Sequence, residues 1–519
     1  MIRSIFLMIA LFSLIFCKSV TGQNKENTPN ILLITLDDMN WDSPGVYGGI
    51  IPDLTPHIDN LAKEGVLFEN AYVQAPNCSP SRVVIQTGLY PHQTGMRGFY
   101  YVKDNFNTLP EILKDNGYFT GVLNKPADTS ISPNFDKYWD DRTSIKGAKK
   151  RSAKNYSELL EGFLLKANKK QKPFYCVVNI ADPHKPFFND PSSIKLGFDE
   201  FKPSKMYTIK DVKIPEYLPK NARIKKEVLN YYNSVKRGDD CVGEIIKALK
   251  SSRMADNTIV ILLSDHGAPF PFAKSSVYKN GVKTPLIVSY PSKIKSAIES
   301  KSMVSSVDIA PTILEMTGSS IPKELVGKSF YSVLTKKKEK ISNYVFAQFD
   351  ETAGGTPRPS RTVIGKKYGY IFNPWATGSR VFISASTYHA TYKTMANMSK
   401  VNEDAKKRFD HWKFRTIEEL YDYEDDPHAL NNLIDNPKYK DVVIELRKQL
   451  KIQMIKTNDY VLPAFEDKSN IEYLNKWMQT QIKKADARTK SLRWKRFKNN
   501  NGPTKNNSEL FNINNAKFN

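Results

Sequence analysis

The sequence predicts an α/β fold, a large, mostly parallel sheet sandwiched by helices, followed by a smaller α+β subdomain. Three observations predict it. Four apolar runs each stop abruptly at a charged or polar group, the signature of strands buried on both faces. Helical stretches lie between them, the alternation of a doubly wound sheet. After about Leu334 the texture changes to short strand-like pieces and one more helical stretch.

Taken in order, the chain opens with Arg3, an apolar stretch over residues 5–16 and then Ser19-Val20-Thr21-Gly22. The stretch is short for a bilayer span, and the pattern reads as a signal peptide over residues 1–22 for a secreted or periplasmic protein. A buried N-terminal helix and a lipoprotein anchor at Cys17 are the alternatives. No later run has the length and apolarity of a transmembrane segment. The first strand, residues 30–36, ends at Asp37-Asp38. Thr55-Pro56 supplies an N-cap and first-turn proline for a helix carrying Ile58, Leu61 and Ala62. The second strand, residues 120–124, ends at Lys125. The third, residues 174–180, leads to Asp182-Pro183-His184. A helix follows over residues 231–249. The fourth strand, residues 258–264, ends at Asp265-His266-Gly267. Ligands of such sheets bind beyond the carboxyl ends of the strands, so these polar groups converge on one site. The α/β domain therefore spans 23–335 and the subdomain 336–482. Within the latter, Tyr344-Val345-Phe346-Ala347 and Tyr368-Gly369-Tyr370-Ile371 read as strands and residues 442–454 as a helix. A basic, Asn-rich tail occupies 483–519.

A formal net charge of +23 attracts polyanions: nucleic acid, anionic membrane or acidic polysaccharide. No zinc finger, helix-turn-helix or Gly-rich phosphate loop is present, so nucleic acid is not an expected partner. The chain has 4 cysteines, and removing the signal peptide leaves an odd number, so there is no disulfide framework. Cys176 and Cys241 sit in apolar or helical stretches and read as small core residues. Cys78 sits among polar and turn-forming residues.

Around Cys78 runs Asn77-Cys78-Ser79-Pro80-Ser81-Arg82-Val83-Val84-Ile85-Gln86-Thr87-Gly88. Pro80 suits a first helical turn and Gly88 a helix end. Cys78 then lies at a helix N-terminus, where free N–H groups and the dipole stabilise an anion. Arg82 lies one turn on, on the same face, with a permanent charge. A nucleophile, anion-binding amides and an arginine suit attack on a sulfuryl or phosphoryl group. Asp37-Asp38 is a pair of carboxylates whose repulsion a hard divalent cation relieves, although Asp-Asp after a strand is more often a cap or turn. Oxygen ligands suit Ca²⁺ or Mg²⁺. Taken alone, Lys125 and Lys274 would be solvated and His184 structural.

Cys78-x-Pro80-Ser81-Arg82-x-x-x-x-Thr87-Gly88 resembles the signature of the type I, formylglycine-dependent sulfatases of the alkaline phosphatase superfamily. The resemblance implies an alkaline-phosphatase-like mixed sheet. It also implies that a formylglycine-generating enzyme oxidises Cys78 to 3-oxoalanine (formylglycine). The hydrated aldehyde would attack sulfur, and its second hydroxyl would then collapse to expel sulfate. Asp37, Asp38, Asp265 and His266, with Cys78, match the family's metal ligands, usually of calcium, with magnesium the alternative. Many members have Asn at the position of His266. Lys125, His184 and Lys274 match site residues that bind sulfate or protonate the departing oxygen. Two residues after the site lysine many members place a histidine; here it is Ala127. His92, Asp239 and Asp308 fall in family-like blocks and read as structural. The matching blocks run from Ile31 to about Leu433, and Asp265-His266-Gly267-Ala268-Pro269-Phe270-Pro271 is similar to the N-sulfoglucosamine sulfohydrolase branch, which also holds bacterial ulvan-active sulfatases. The expected partner is an anionic sulfated saccharide, with ulvan-type polysaccharide favoured. The alternatives are a heparan-type sulfamidase, a phosphodiesterase or phosphonate hydrolase of the same superfamily, and a silent glycan-binding protein.

Overall fold

The computed structural model of the chain describes residues 28–102, 105–338 and 340–488. The predicted signal peptide and residues 489–519 of the predicted tail lie outside the described residues.

A 9-stranded sheet forms the centre. Its strands are β1 (Asn30–Asp37), β2 (Val66–Tyr72), β3 (Phe119–Leu123), β4 (Asp141–Thr143), β5 (Phe174–Pro183), β6 (Thr258–Ser264), β7 (Lys283–Thr284), β8 (Leu286–Ser289) and β9 (Ile298–Ser305). The order is β4-β3-β5-β1-β6-β8-β2-β7, with β9 on β2. The block from β4 to β6 is parallel throughout, while β8 and β7 run antiparallel to their neighbours. The four strands predicted from sequence, β1, β3, β5 and β6, are consecutive in that block. Leu36 of β1 stands opposite Ile180 and Ser264, which sets the strand ends level.

Alternation explains the continuous apolar runs. Leu32, Ile34 and Leu36 enter one core with Cys176, Val178, Ile180 and the helices Ala153–Lys169 and Ala222–Ser251. Ile31 and Leu33 enter the opposite core with Tyr175, Val177 and the helices Cys78–Thr87 and Ile309–Met316. Successive side chains point to opposite faces, so a strand covered on both must be apolar at every position. Cys176 and Cys241 are buried in the first core as free thiols. The helix expected over 231–249 starts earlier, at Ala222, because Ile224, Val228 and Leu229 extend its buried stripe through a charged segment.

After residue 335 comes a separate 4-stranded antiparallel sheet of β10 (Val345–Glu351), β11 (Pro357–Ile364), β12 (Tyr368–Phe372) and β13 (Glu418–Asp422). The helix Lys440–Lys456 and the last helix, Ile471–Arg488, cover one face; this last helix runs past residue 482, so residues 483–488 are helical rather than tail. The other face, through Val345, Ala347, Phe349, Ile364 and Tyr421, packs into the core of the large sheet. No helix among the described residues is long and apolar enough to cross a membrane.

An ion pair pins this sheet to its helices. Arg361 on β11 holds Asp459 through two bonds, of 2.5 and 2.9 Å, and meets Asp350 at 3.0 Å. Burial opposes ionisation of Asp459, but Arg361 and then His92 overcome it and hold the carboxyl down at about 2. An unfolded aspartate titrates near 3.9, so the paired carboxylate stabilises the fold above about pH 4, and that contribution is lost as pH falls toward 2. Asp459→Asn is expected to cost about 2 kcal/mol at pH 7. Urea titrations should show that gap constant down to about pH 4 and narrowing below it; a gap unchanged at pH 3 would exclude this cause.

Candidate active site

The carboxyl ends of β3, β5, β1 and β6 lie side by side, and each delivers polar side chains to one cluster. Asp37 closes β1. Asp38 then turns the chain with a left-handed backbone, φ 70°, and its N–H donates to Asp265 Oδ1 at 3.1 Å. That reversal lets two successive residues serve one site, where plain strand alternation would separate them. Lys125 follows β3 on a second left-handed stretch, φ 68° at Asn124 and 52° at Lys125. Asn124 is clamped there: its Nδ2 donates to Asn179 O at 2.9 Å and its carbonyl accepts from Asn179 Nδ2 at 2.7 Å. Cys78 opens the helix Cys78–Thr87, whose other end is set by Gly88 at φ 62°. Asn77 ties the start of this helix to its surroundings, accepting from Ser275 Oγ at 2.8 Å and donating to Glu351 O at 3.1 Å. Ser81 Oγ donates to Asp265 O at 2.6 Å.

The structure brings together every residue that the sequence placed in the site. Cys78 Sγ lies 3.4 Å from Asp37 Oδ1, 3.4 Å from His266 Nε2 and 3.6 Å from Lys274 Nζ. Lys274 Nζ donates to Asp38 Oδ1 at 2.5 Å, and Lys125 Nζ to Asp37 Oδ2. His184 stands at the rim, its side chain 40% exposed, with Nε2 3.9 Å from Asp38 Oδ2. Arg82, one turn along the helix from Cys78, reaches the same carboxylates. Its guanidinium is sealed beneath the cluster, 1% exposed, donating to Asp265 Oδ2 at 2.8 Å, to Thr35 Oγ1 at 2.5 Å and to Asn179 Oδ1. It therefore orients a carboxylate.

Asp239 lies outside the site; it accepts from the N–H of His57 and Ile58 at the start of the helix Pro56–Lys63. Asp308 accepts from the N–H of Ser305 and Lys328, and His92 bridges Gln348 and Thr457. Sequence reasoning missed the clamp under His184. Asp182 is fully buried between Arg151, at 2.7 Å, and Arg237, at 2.8 and 3.0 Å, and Arg151 also donates to His184 O at 2.8 Å. The signal available was Asp182 itself, a charged residue continuing an apolar strand. Ala127 lies on the short helix Pro126–Thr129, whose Asp128 accepts from Ser79 Oγ beside Cys78.

Burial opposes ionisation of Asp37, yet Lys125, His184, Arg82 and Lys274 together hold its carboxyl well below the usual range. Asp38 is likewise lowered against burial, chiefly by Lys274. Burial, then the Asp37 charge, pushes the Cys78 thiol far up. Lys274 and Lys125 are raised because Asp38 and Asp37 outweigh their burial. His184 is lowered by desolvation, partly offset by Asp38.

The residues present fit a divalent cation. Ligand atoms of Asp37, Cys78, Asp265 and His266 all lie within 4.8 Å of one another. His266 Nδ1 lies 3.0 Å from Gly267 O, which can only accept, so in the neutral ring the proton sits there. The Nε2 lone pair then faces two carboxylate oxygens, of Asp38 at 3.4 Å and Asp265 at 3.6 Å. Asp38 Oδ2 is buried with no hydrogen-bond partner. Converging lone pairs with an orphaned carboxylate oxygen are what a bound cation would satisfy.

The chain is similar to known proteins over most of its length. The family model described as Sulfatase matches residues 29–319, and that of the N-sulphoglucosamine sulphohydrolase C-terminal region matches residues 266–375. An ulvan-active sulfatase of Formosa agariphila is 26% identical, covering 91% of this chain and 83% of its own. The human N-sulphoglucosamine sulphohydrolase is 27% identical, covering 85% and 92%. A solved 2-O GAG sulfatase superposes with a TM-score of 0.62 at 22% identity, over 83% of this chain and 93% of its own. The Sulfatase match spans more than half of the chain, which therefore belongs to the sulfatase family.

Proposed function

We propose that this chain hydrolyses sulfate esters on an anionic saccharide, an ulvan-type oligosaccharide or polysaccharide in the first place, after export through its signal peptide. The observation that carries the reading is the meeting of Cys78, at a helix N-terminus, with Asp37, Asp38, Asp265 and His266 on one side and Lys125, Lys274 and His184 on the other. Formylglycine made from Cys78 would supply the nucleophilic hydroxyl. Asp37, Asp38, Asp265 and His266 would hold one cation, Ca²⁺ before Mg²⁺, whose chemistry is to polarise a sulfate oxygen.

The chain's own residues do the rest. Lys274 and Lys125 bring positive charge to the substrate's sulfate oxygens. The free amides at the start of the Cys78 helix add partial positive charge. Arg82 holds Asp265 in place from beneath. His184 holds its Nδ1–H on Lys185 O at 2.6 Å, which leaves Nε2 to face the departing sugar oxygen; the doubly protonated ring donates its proton from there. The basic surface gathers the polyanion.

The relatives' names support both an ulvan and a glucosamine N-sulfate substrate, and the match of residues 266–375 keeps the sulfamidase as the second reading. Sulfate released from defined ulvan-derived and heparan-derived oligosaccharides decides between them. Release from neither ends the saccharide reading, and much faster cleavage of an aryl phosphate diester than of an aryl sulfate ends the sulfatase reading.

Removing the cation has its own expected result. Chelation should lower the melting temperature by several degrees, and added Ca²⁺ should restore it. A ligand at a hundredfold its Kd contributes about 2.7 kcal/mol to the folded state. A melting temperature indifferent to chelator and to Ca²⁺ would exclude a resident metal at these carboxylates.

A further inference from the structure

The start of β11 carries a buried cation with no carboxylate beside it. Arg358 is 7% exposed. Its Nε donates to Val381 O at 2.8 Å and its Nη1 to Pro357 O at 2.7 Å. The charge next to it is another cation, Arg380, whose Nη1 donates to Ser379 Oγ at 2.9 Å and Asn475 Oδ1 at 3.0 Å. Burial and then the Arg380 charge push Arg358 down to about 10, and no carboxylate counters either shift. Arg82, Arg151, Arg237, Arg361 and Arg415 are buried as deeply, and each of these meets an acid within 3.0 Å. A desolvated guanidinium without a counter-charge costs free energy that an incoming anion recovers.

The strand that carries Arg358 is tied to the loop before Cys78. Pro357 stands opposite Glu351 across β10 and β11, and Glu351 O accepts from Asn77, the residue before Cys78. Farther along the same strand, Ile364 packs in the core shared with the catalytic sheet. The segment that carries Arg380 returns to the catalytic loops as well: His389 Nδ1 lies 2.9 Å from Pro269 O, between His266 and Lys274.

We propose that Arg358, with Arg380, forms an anion subsite beside the Cys78 cluster, and that it takes a second anionic group of the saccharide whose sulfate ester is hydrolysed. The inference rests on the sulfatase reading and adds to it the class of substrate: a saccharide bearing a uronate carboxylate or a second sulfate near the scissile one. Guanidinium recognises either oxyanion, and Nη2 of Arg358 has no hydrogen bond among the described residues.

The test uses three disaccharides that share one sulfate ester. One adds a uronate carboxylate, one adds a second sulfate, and one adds neither. Calorimetric binding to full-length Cys78→Ala protein keeps turnover out of the measurement. At least one disaccharide with an added anion should bind about tenfold tighter than the one with the single sulfate, the size expected of a charge-assisted hydrogen bond, and which one does so identifies the anion. Adding Arg358→Gln should erase the preference, Arg358→Lys should keep part of it, and Arg380→Gln, at the surface, should weaken it. The subsite is overturned if the protein with Arg358 shows no preference. It is equally overturned if the preference survives Arg358→Gln, or, should that variant not fold, survives Arg380→Gln undiminished. Sulfate release by the unmutated enzyme from the same disaccharides tests the sulfatase reading separately, so either can fail while the other stands.

Discussion

Cys78→Ala is expected to fold, to keep its affinity for sulfated saccharide and to release no sulfate, a loss of at least roughly 10⁴-fold of the kind seen when a covalent nucleophile is removed. The side chain is small and its neighbours are polar, so alanine leaves no large apolar cavity, and melting temperature should move little. The more informative part concerns the chemical state of Cys78. Its Sγ lies 3.4 Å from a carboxylate oxygen of Asp37, which opposes a thiolate, so the unmodified thiol is poorly placed to act as the nucleophile. Activity should therefore track oxidation of Cys78. The mass of the peptide containing it should show an aldehyde in active enzyme and a thiol in inactive enzyme. Full activity in protein whose Cys78 is wholly thiol would overturn the mechanism while leaving the fold and family untouched.

What the sequence made legible follows the same physics. β1, β5 and β6 are readable because both of their faces are covered, which leaves an uninterrupted apolar run and a sharp polar stop. That stop is the strand's carboxyl end, so reading the strands also located Asp37, Asp38, Asp265 and His266. Cys78 was legible because Pro80 and Gly88 mark a short helix between them. β11 was not. Its sequence, with two prolines, two arginines, a serine and a threonine, reads as a loop. Its stability comes from Arg361 meeting Asp350 and Asp459 and from Ser360 bonding Asn373, contacts that no local pattern announces. The clamp on Asp182 is hidden for the same reason, since Arg151 and Arg237 are distant in sequence and sit on different elements. Periodicity reports burial along one element; it does not report which charges on other elements neutralise one another.

Arg82 shows how far that difference matters. The motif places an arginine one turn after Cys78, and the spacing alone offers its charge to the substrate. In the folded chain the guanidinium is buried and enclosed by Asp265, Thr35 and Asn179, with Asp37 Oδ1 3.8 Å off. Arg82→Ala should thus act on stability as well as on turnover. Removing one partner of a buried ion pair leaves the other charge uncompensated and costs about 3–5 kcal/mol. Here the stranded group would be Asp265, since Asp37 keeps Lys125. Arg82→Lys should recover little, because one ammonium cannot span the three acceptors that the planar fork reaches. Lys274→Ala is the companion case: Lys274 is also buried and bonds Asp38 at 2.5 Å, but beside Cys78, so it should lose sulfate release along with stability. Denaturation midpoints and sulfate release for the three variants check these outcomes. If Arg82→Ala kept the wild-type midpoint and lost only turnover, the arginine would be acting on substrate directly and the buried position assigned to it would be wrong.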